Sequence, residues 1–179
     1  MSAVVVNPSA SDDYFRFFGL NQQFKIDLPA LDQAYLAIQR EVHPDRHARG
    51  SDAEQRLAMQ MATLANTAFQ TLKNPIQRGL YLCKLHGVDA KLETNTAMPA
   101  AFLMKQMEWR ETLDEQAEDL PALEALMTEV EESKESILAE IAQAIDGAKN
   151  YDRATELLRG LLFIDKFAVE LDEAIAALI

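Results

Sequence analysis

The stretch Leu31-Asp32-Gln33-Ala34-Tyr35-Leu36-Ala37-Ile38-Gln39-Arg40-Glu41-Val42-His43-Pro44-Asp45 decides how this chain folds. Leu31, Tyr35, Ile38 and Val42 recur at +4, +3 and +4, which is one face of an α-helix, and Pro29 just upstream suits a first helical turn. Pro44 ends the helix, because it lacks the N–H for the ladder and its ring crowds the turn behind it. It also pushes His43 out of the α region. Beyond the polar Gly50-Ser51-Asp52, a second stripe of Leu57, Met61, Leu64, Ala68 and Leu72 predicts another helix. The two form an antiparallel hairpin with His43-Pro44-Asp45 at its bend. His43 and Asp45 are expected on an exposed loop tip, one on each side of a rigid pivot, where they suit docking to a partner.

Helical patterning extends outward in both directions. Tyr14, Phe15, Phe18 and Leu20 predict a short helix capped by Ser11 or Asp12 and ended near Gly19-Leu20-Asn21. After the hairpin, Ile76 to His86 predicts a helix carrying Leu80, Tyr81 and Leu85, with Gly87 as its stop. Gly87 to Pro99 lacks periodicity and reads as a domain boundary. Three longer helices follow: one from Pro99 to Ala117, one starting near Pro121, and one from about Asp152 to the end. Leu123, Met127, Val130, Ile137, Ile141 and Ile145 form the stripe of the second. Leu157, Leu161, Ile164, Ala168, Leu171, Ile175 and Leu178 form that of the third. Short connections make neighbours antiparallel, so a three-helix bundle is expected. The fold class is all-α: an N-terminal extension over 1–11, a hairpin domain over 12–87, a linker over 88–98 and an acidic three-helix bundle over 99–179.

Composition excludes several functions. The net charge of −12 is unevenly placed: residues 1–97 hold 10 Lys+Arg against 10 Asp+Glu, and residues 98–179 hold 7 against 19. Nucleic-acid binding needs a basic surface to displace phosphate counterions, and no such stripe exists. No apolar run approaches the roughly 20 residues needed to cross a membrane, and Val4-Val5-Val6 is too short for a signal-peptide core. A cytoplasmic protein without nucleic-acid or membrane partners is expected. Cys83 is the single cysteine, so no internal disulfide can form. Cys83 and His86 have the spacing of half a metal site, but four-ligand sites need more thiolates or imidazoles, and a buried structural cysteine is the expectation. His43 and Asp45 on an exposed loop offer no water-excluding pocket and no positioned nucleophile, so no catalytic residue is assigned. A phosphate-cradling glycine loop is also missing from the sequence.

The helix after Pro99 carries more apolar residues than one core face can use. Phe102, Gln106, Trp109 and Leu113 cluster on one side, the natural bundle side. Leu103, Met104 and Met107 cluster roughly 150° away on the helical wheel. Glu108, Glu111 and Glu115 lie beside them, and on the last helix Phe163 stands off the stripe of Leu157, Leu161, Ile164 and Ala168. An apolar strip bordered by carboxylates suits protein docking, and methionines suit a surface that adapts to its partner. The residues alone leave a second reading open, in which the strip packs inside the protein.

The segments around the hairpin sharpen both readings. Asp13-Tyr14-Phe15-Arg16-Phe17-Phe18-Gly19-Leu20 precedes the tripeptide, and Asn66-Thr67-Ala68-Phe69-Gln70-Thr71-Leu72-Lys73-Asn74-Pro75-Ile76-Gln77-Arg78 follows it. This order resembles a J domain, the module that drives DnaK-type chaperones through their ATPase cycle. Phe102-Leu103-Met104-Lys105-Gln106-Met107-Glu108-Trp109-Arg110-Glu111 with Leu162-Phe163-Ile164-Asp165-Lys166-Phe167 resembles the HscB-type co-chaperones of iron–sulfur cluster assembly. The resemblance implies that His43, Pro44 and Asp45 contact an HscA-type chaperone of the DnaK family and promote hydrolysis there. Arg40, Arg46 and Arg49 would add positive charge to that contact. It implies further that Leu103, Met104, Met107 and Phe163, with Glu108, Glu111 and Glu115, bind an IscU-type scaffold protein. Met107 stands where leucine is common, a change that conserves volume. The chain would be a co-chaperone without cofactor, metal or enzymatic activity of its own. Met1 to Ser11 holds no cysteine, unlike the cysteine-rich amino-terminal site of the eukaryotic branch, so a bacterial type is expected. Two other readings remain at this point: a J-domain adaptor for a different client, and an acidic structural bundle with an accidental tripeptide.

Overall fold

The computed structural model describes residues 13–95 and 97–179, and among them there is no β-strand. The chain divides into two compact units, one ending at Leu85 and the other starting at His86.

Among its described residues the first unit holds five helices: α1 Tyr14–Phe17, α2 Leu28–Val42, α3 Pro44–His47, α4 Asp52–Lys73 and α5 Pro75–Leu85. Ser11 and Asp12, the expected caps of α1, lie outside the described residues. The observed cap is Asp13, whose carboxylate accepts from the Phe15 N–H. The chain leaves α1 through Gly19 at φ +69°, a conformation that glycine adopts without strain. Phe15, Phe17, Phe18 and Phe24 are all buried, and Tyr14 stacks on Tyr81 at 4.5 Å. Asp27 caps α2 by accepting from the Ala30 N–H, and Pro29 sits in its first turn. Ser51 and Glu54 close a reciprocal capping box at the start of α4.

α2 and α4 run antiparallel. Asp32 pairs with Lys73 at 2.6 Å, and Tyr35 stacks on Phe69 at 4.1 Å while its hydroxyl donates to Asn66. The buried stripe of α4 is Ala58, Ala65, Ala68 and Leu72, whereas Leu57 is exposed. The expected stripe is therefore displaced by one residue at its start. The reason is steric: small alanines let neighbouring helices pack closely, and the large Leu57 stays outside. Arg78 closes this unit from within. Its buried guanidinium donates to the Phe24 and Leu72 carbonyls at 2.7 Å each and lies over the Phe24 ring.

The second unit holds α6 Ala100–Glu115, α7 Leu120–Ala142 and α8 Tyr151–Ala176. Asp119 caps α7 through the Ala122 N–H, and Asn150 caps α8 through the Arg153 N–H. α7 widens at its end into a π-helical turn, Gln143–Gly147, before the chain reverses through Lys149 at φ +52°. α7 and α8 are antiparallel, tied by Lys134–Asp165 at 2.6 Å and Arg153–Glu140 at 3.4 Å. Leu123, Leu126, Val130, Ile137, Ile141 and Ile145 face Leu157, Leu158, Leu161, Ile164, Phe167 and Leu171 in the core. Leu126 is buried in place of Met127, whose neighbourhood is half-open. The segment expected as a linker over 88–98 lies with this unit: buried Arg159 on α8 donates to the carbonyls of Ala90 at 3.0 Å and Ala97 at 3.2 Å.

Candidate functional site

The first candidate site is the bend between α2 and α4. His43 takes φ −57° and ψ 133°, the extended form that a following proline imposes. It therefore ends α2 and caps α3 at once. Pro44 opens the single turn of α3, where its missing N–H is no loss. The tripeptide is thus a helix-to-helix corner and not the bare loop tip expected from the sequence. The His43 Nδ1 accepts from the Asp45 N–H at 3.2 Å and stands 3.6 Å from the Asp45 carboxylate. Accepting that bond places the ring proton on Nε2. Both side chains are exposed, Asp45 almost completely.

The turn after Pro44 folds back on the end of α2. Arg46 donates to the Arg40 carbonyl at 3.3 Å, and the His47 Nε2 lies 2.7 Å from the Glu41 carbonyl, so that nitrogen carries the proton. These are carbonyls that the end of a helix leaves unpaired. Arg46 therefore has a structural task. The Arg40 and Arg49 guanidiniums have no hydrogen bond or ion pair among the described residues, and both are exposed. Arg40, Arg46 and Arg49 all present exposed positive charge at this corner, Arg46 with one N–H already tied to α2.

The second candidate site is the outer side of α6 with part of α8. Trp109 and Leu113 are buried, and Phe102 lies against Gly160, where an added Cβ would come within 3.1 Å of its ring. On the opposite side Leu103 is 43% exposed, Met104 63% and Met107 71%, and Phe163 on α8 is 37% exposed. These values decide against packing of the strip inside the bundle. Glu108, Glu111 and Glu115 are exposed beside it. Three contacts give the register of the two helices: Phe102 with Gly160, Trp109 stacked on Phe167 at 5.8 Å, and Arg110 paired with Glu170 at 3.2 Å. α6 and α8 therefore run parallel. Leu103 and Phe163 each precede the Arg110–Glu170 pair by seven residues, two helical turns, which places them at one level on the same seam. The Lys166 ammonium lies 5.9 Å from the Phe163 ring.

Sequence reading missed the cluster behind the strip. Glu129, from α7, pairs with Lys105 and accepts from the Trp109 indole N–H at 3.1 Å. Lys105, and then the Trp109 indole, holds the Glu129 carboxyl below the usual carboxylate range. Glu129 in turn pushes the Lys105 ammonium up. No spacing rule could pair Glu129 with Trp109, because the partners lie 20 residues apart on different helices. Elsewhere, Cys83 is buried on α5, and His86 stacks on Tyr151 at 4.3 Å. Among the described residues no group of three or more His, Cys, Asp or Glu side chains could hold a metal ion. No described helix is long and apolar enough to cross a membrane.

A helical hairpin with His-Pro-Asp at its corner, followed in the same chain by a helical bundle, defines a J domain with an appended C-terminal bundle. Residues 98–172 match the family described as the HSCB C-terminal oligomerisation domain. The chain is 47% identical over 162 residues to the co-chaperone protein HscB homolog of Bordetella avium, covering 90% of this chain and 96% of that protein. It is also 47% identical over 169 residues to the homolog of Ralstonia nicotianae, covering 93% and 96%. Among solved structures, human co-chaperone HscB superposes with a TM-score of 0.85 at 30% identity over 92% of this chain and 83% of that one. The chaperone HscB from Vibrio cholerae gives 0.81 at 32% identity over 94% and 100%. The chain belongs to the HscB co-chaperone family.

Proposed function

We propose that this co-chaperone binds an IscU-type iron–sulfur scaffold protein, delivers it to an HscA-type chaperone of the DnaK family and stimulates that chaperone's ATPase, in the cytoplasm. The chain supplies no catalytic group: hydrolysis takes place in the chaperone. His43, Pro44 and Asp45 form the trigger, with Arg40 and Arg49 as the free cations that orient encounter. Charge complementarity of this kind governs association rate more than final affinity. Arg46 contributes from a side chain already tied to α2. The observation that carries the reading is the exposed Leu103, Met104, Met107 and Phe163 strip on an otherwise well-packed bundle. Its border of Glu108, Glu111 and Glu115 favours a partner whose rim is basic and discourages a second copy of this acidic bundle.

Residues 12–87 act as the J domain and residues 99–179 as the client module. Carrying both on one chain raises the effective concentration of client near the chaperone. An ATPase assay with an HscA-type chaperone, run with and without the scaffold, tests the proposal. Synergy between scaffold and co-chaperone is expected. Stimulation indifferent to the scaffold would point to another client, and no stimulation would reject the assignment altogether.

A further inference from the structure

The docking strip lies on the helix that is least tied to its own bundle. The α6 N-cap is Pro99, which offers no side-chain hydrogen bond. Gln106, on the inner side of α6, has a buried amide nitrogen with no hydrogen-bond partner among the described residues. Met104 and Met107 face outward and leave the seating of the helix to other residues, and Leu103 is only half covered. On the α8 side the seat consists of Phe102 against Gly160, the Trp109–Phe167 stack and the exposed Arg110–Glu170 pair. On the α7 side the polar attachment runs through one carboxylate. Glu129 takes both the Lys105 ammonium and the Trp109 indole N–H.

Those two donors are four residues apart, so they project from one side of α6, one turn from each other. A single acceptor between them fixes the rotation of α6 as well as its height. Lys105 follows Met104 directly and Trp109 lies two residues beyond Met107, so the clamp begins within the strip and runs just past its end. With side chains reaching roughly 6 Å from the helix axis, a rotation of about 20° would carry their tips about 2 Å sideways. A binding surface loses its fit at displacements of about 1 Å.

We propose that Glu129 is a positioning residue for the docking strip: it locks the rotation of α6 so that Leu103, Met104 and Met107 are presented in register with Phe163. The inference rests on the reading of that strip as the scaffold-binding surface. Glu129 need not touch the scaffold to act in this way. The low pKa direction of Glu129 agrees, since the carboxylate is the form that both donors hold.

The full-length chain carries its own probe, because Trp109 is its single tryptophan. Three measurements are made on wild type, Glu129→Leu and Glu129→Gln: Trp109 emission, affinity for an IscU-type scaffold, and stimulation of an HscA-type ATPase without scaffold. Glu129→Leu removes both attachments. It should shift the Trp109 emission and weaken scaffold binding about tenfold, leaving scaffold-free stimulation unchanged. Glu129→Gln keeps an acceptor for the indole N–H and should restore most of the emission and part of the affinity. Glu129→Gln also carries the test if Glu129→Leu does not fold. Scaffold affinity within about twofold of wild type in both variants would overturn the positioning role. So would equal loss in both variants, because a clamp must distinguish them. A wild-type chain that fails to bind the scaffold would instead reject the docking reading, while the emission series still reports whether Glu129 seats α6.

Discussion

The two candidate sites are built in opposite ways. At the corner of the J domain every stabilising contact is local: His43 to Asp45 spans two residues, and Arg46 to Arg40 and His47 to Glu41 span six each. Behind the docking strip the contacts that seat α6 are distant: Trp109 to Glu129 spans 20 residues and Arg110 to Glu170 spans 60. A local site is set by the chain itself, through a proline and the carbonyls it leaves unpaired. A distant site exists only once the bundle has assembled. Changes at the corner should therefore alter function without altering stability, and changes behind the strip should alter both.

The largest expected effect follows from the exposure of Asp45. Replacing it with Asn removes a charge that has no tertiary partner among the described residues, so ATPase stimulation should be abolished while the thermal midpoint moves by no more than about 1 °C. A parallel loss of stability would break the contrast between the sites. The next effect concerns the strip surface itself. Leu103→Ala combined with Phe163→Ala removes two half-exposed anchors at one level of the α6–α8 seam. Scaffold binding should weaken about a hundredfold, as for two interface hot spots, and titration calorimetry would measure it. Helicity and scaffold-free stimulation should be retained. Equal loss of binding and stability would instead make the pair part of the core.

A smaller effect compares the two buried arginines. Arg78 in the first unit satisfies the Phe24 carbonyl and the Leu72 carbonyl in the last turn of α4, and Arg159 in the second satisfies two carbonyls of the irregular segment before α6. Replacing either with Met leaves those carbonyls without donors, at a cost of about 2 kcal/mol measured by denaturant unfolding. Arg78→Met should lose more, because its bonds are the shorter and its ring contact with Phe24 goes too. A larger loss for Arg159→Met would show that the 88–98 segment matters more to its unit than the contacts suggest.

The same contrast explains what could be read from the sequence. The hairpin, its corner and the bundle were legible because they rest on periodicity, on proline and on caps, all local signals. The strip was legible as an excess of apolar residues on the wrong side of α6. Its exposure was not, since a wheel cannot tell a second core face from a surface. The α4 stripe departs from the expectation at Leu57, because a hydropathy pattern favours the large residue while the packed face of α4 holds the small Ala58. Asp13, one residue past Asp12 and two past Ser11, takes the cap because its carboxylate reaches the Phe15 N–H. Glu129 could not be found: one glutamate among the many in the acidic half becomes special only through Lys105 and Trp109.

The smallest effect separates local from distant carboxylates by pH. Glu54 and Glu129 are both held below the ordinary value of 4.5, Glu54 mainly by the Ser51 backbone N–H and hydroxyl, and Glu129 mainly by Lys105 and then Trp109. A carboxyl whose folded pKa is depressed contributes stability that is complete above its unfolded pKa and is lost as pH falls through the folded one. Both contributions should therefore be intact at pH 6 and decline below 4.5. Glu54 is fully exposed and acts only on the first turn of α4, so its protonation should fray that turn and leave Trp109 emission unchanged. Protonation of Glu129 weakens the Lys105 pairing and the indole bond together. Trp109 emission should then titrate with a midpoint below 4.5, ahead of any loss of far-ultraviolet helicity. Raising ionic strength should move that midpoint upward, because the Lys105 partner is half-exposed and its field is screened. A midpoint at or above 4.5, or one coincident with the loss of helicity, would mean that Trp109 reports global unfolding and that α6 is seated by its apolar contacts alone.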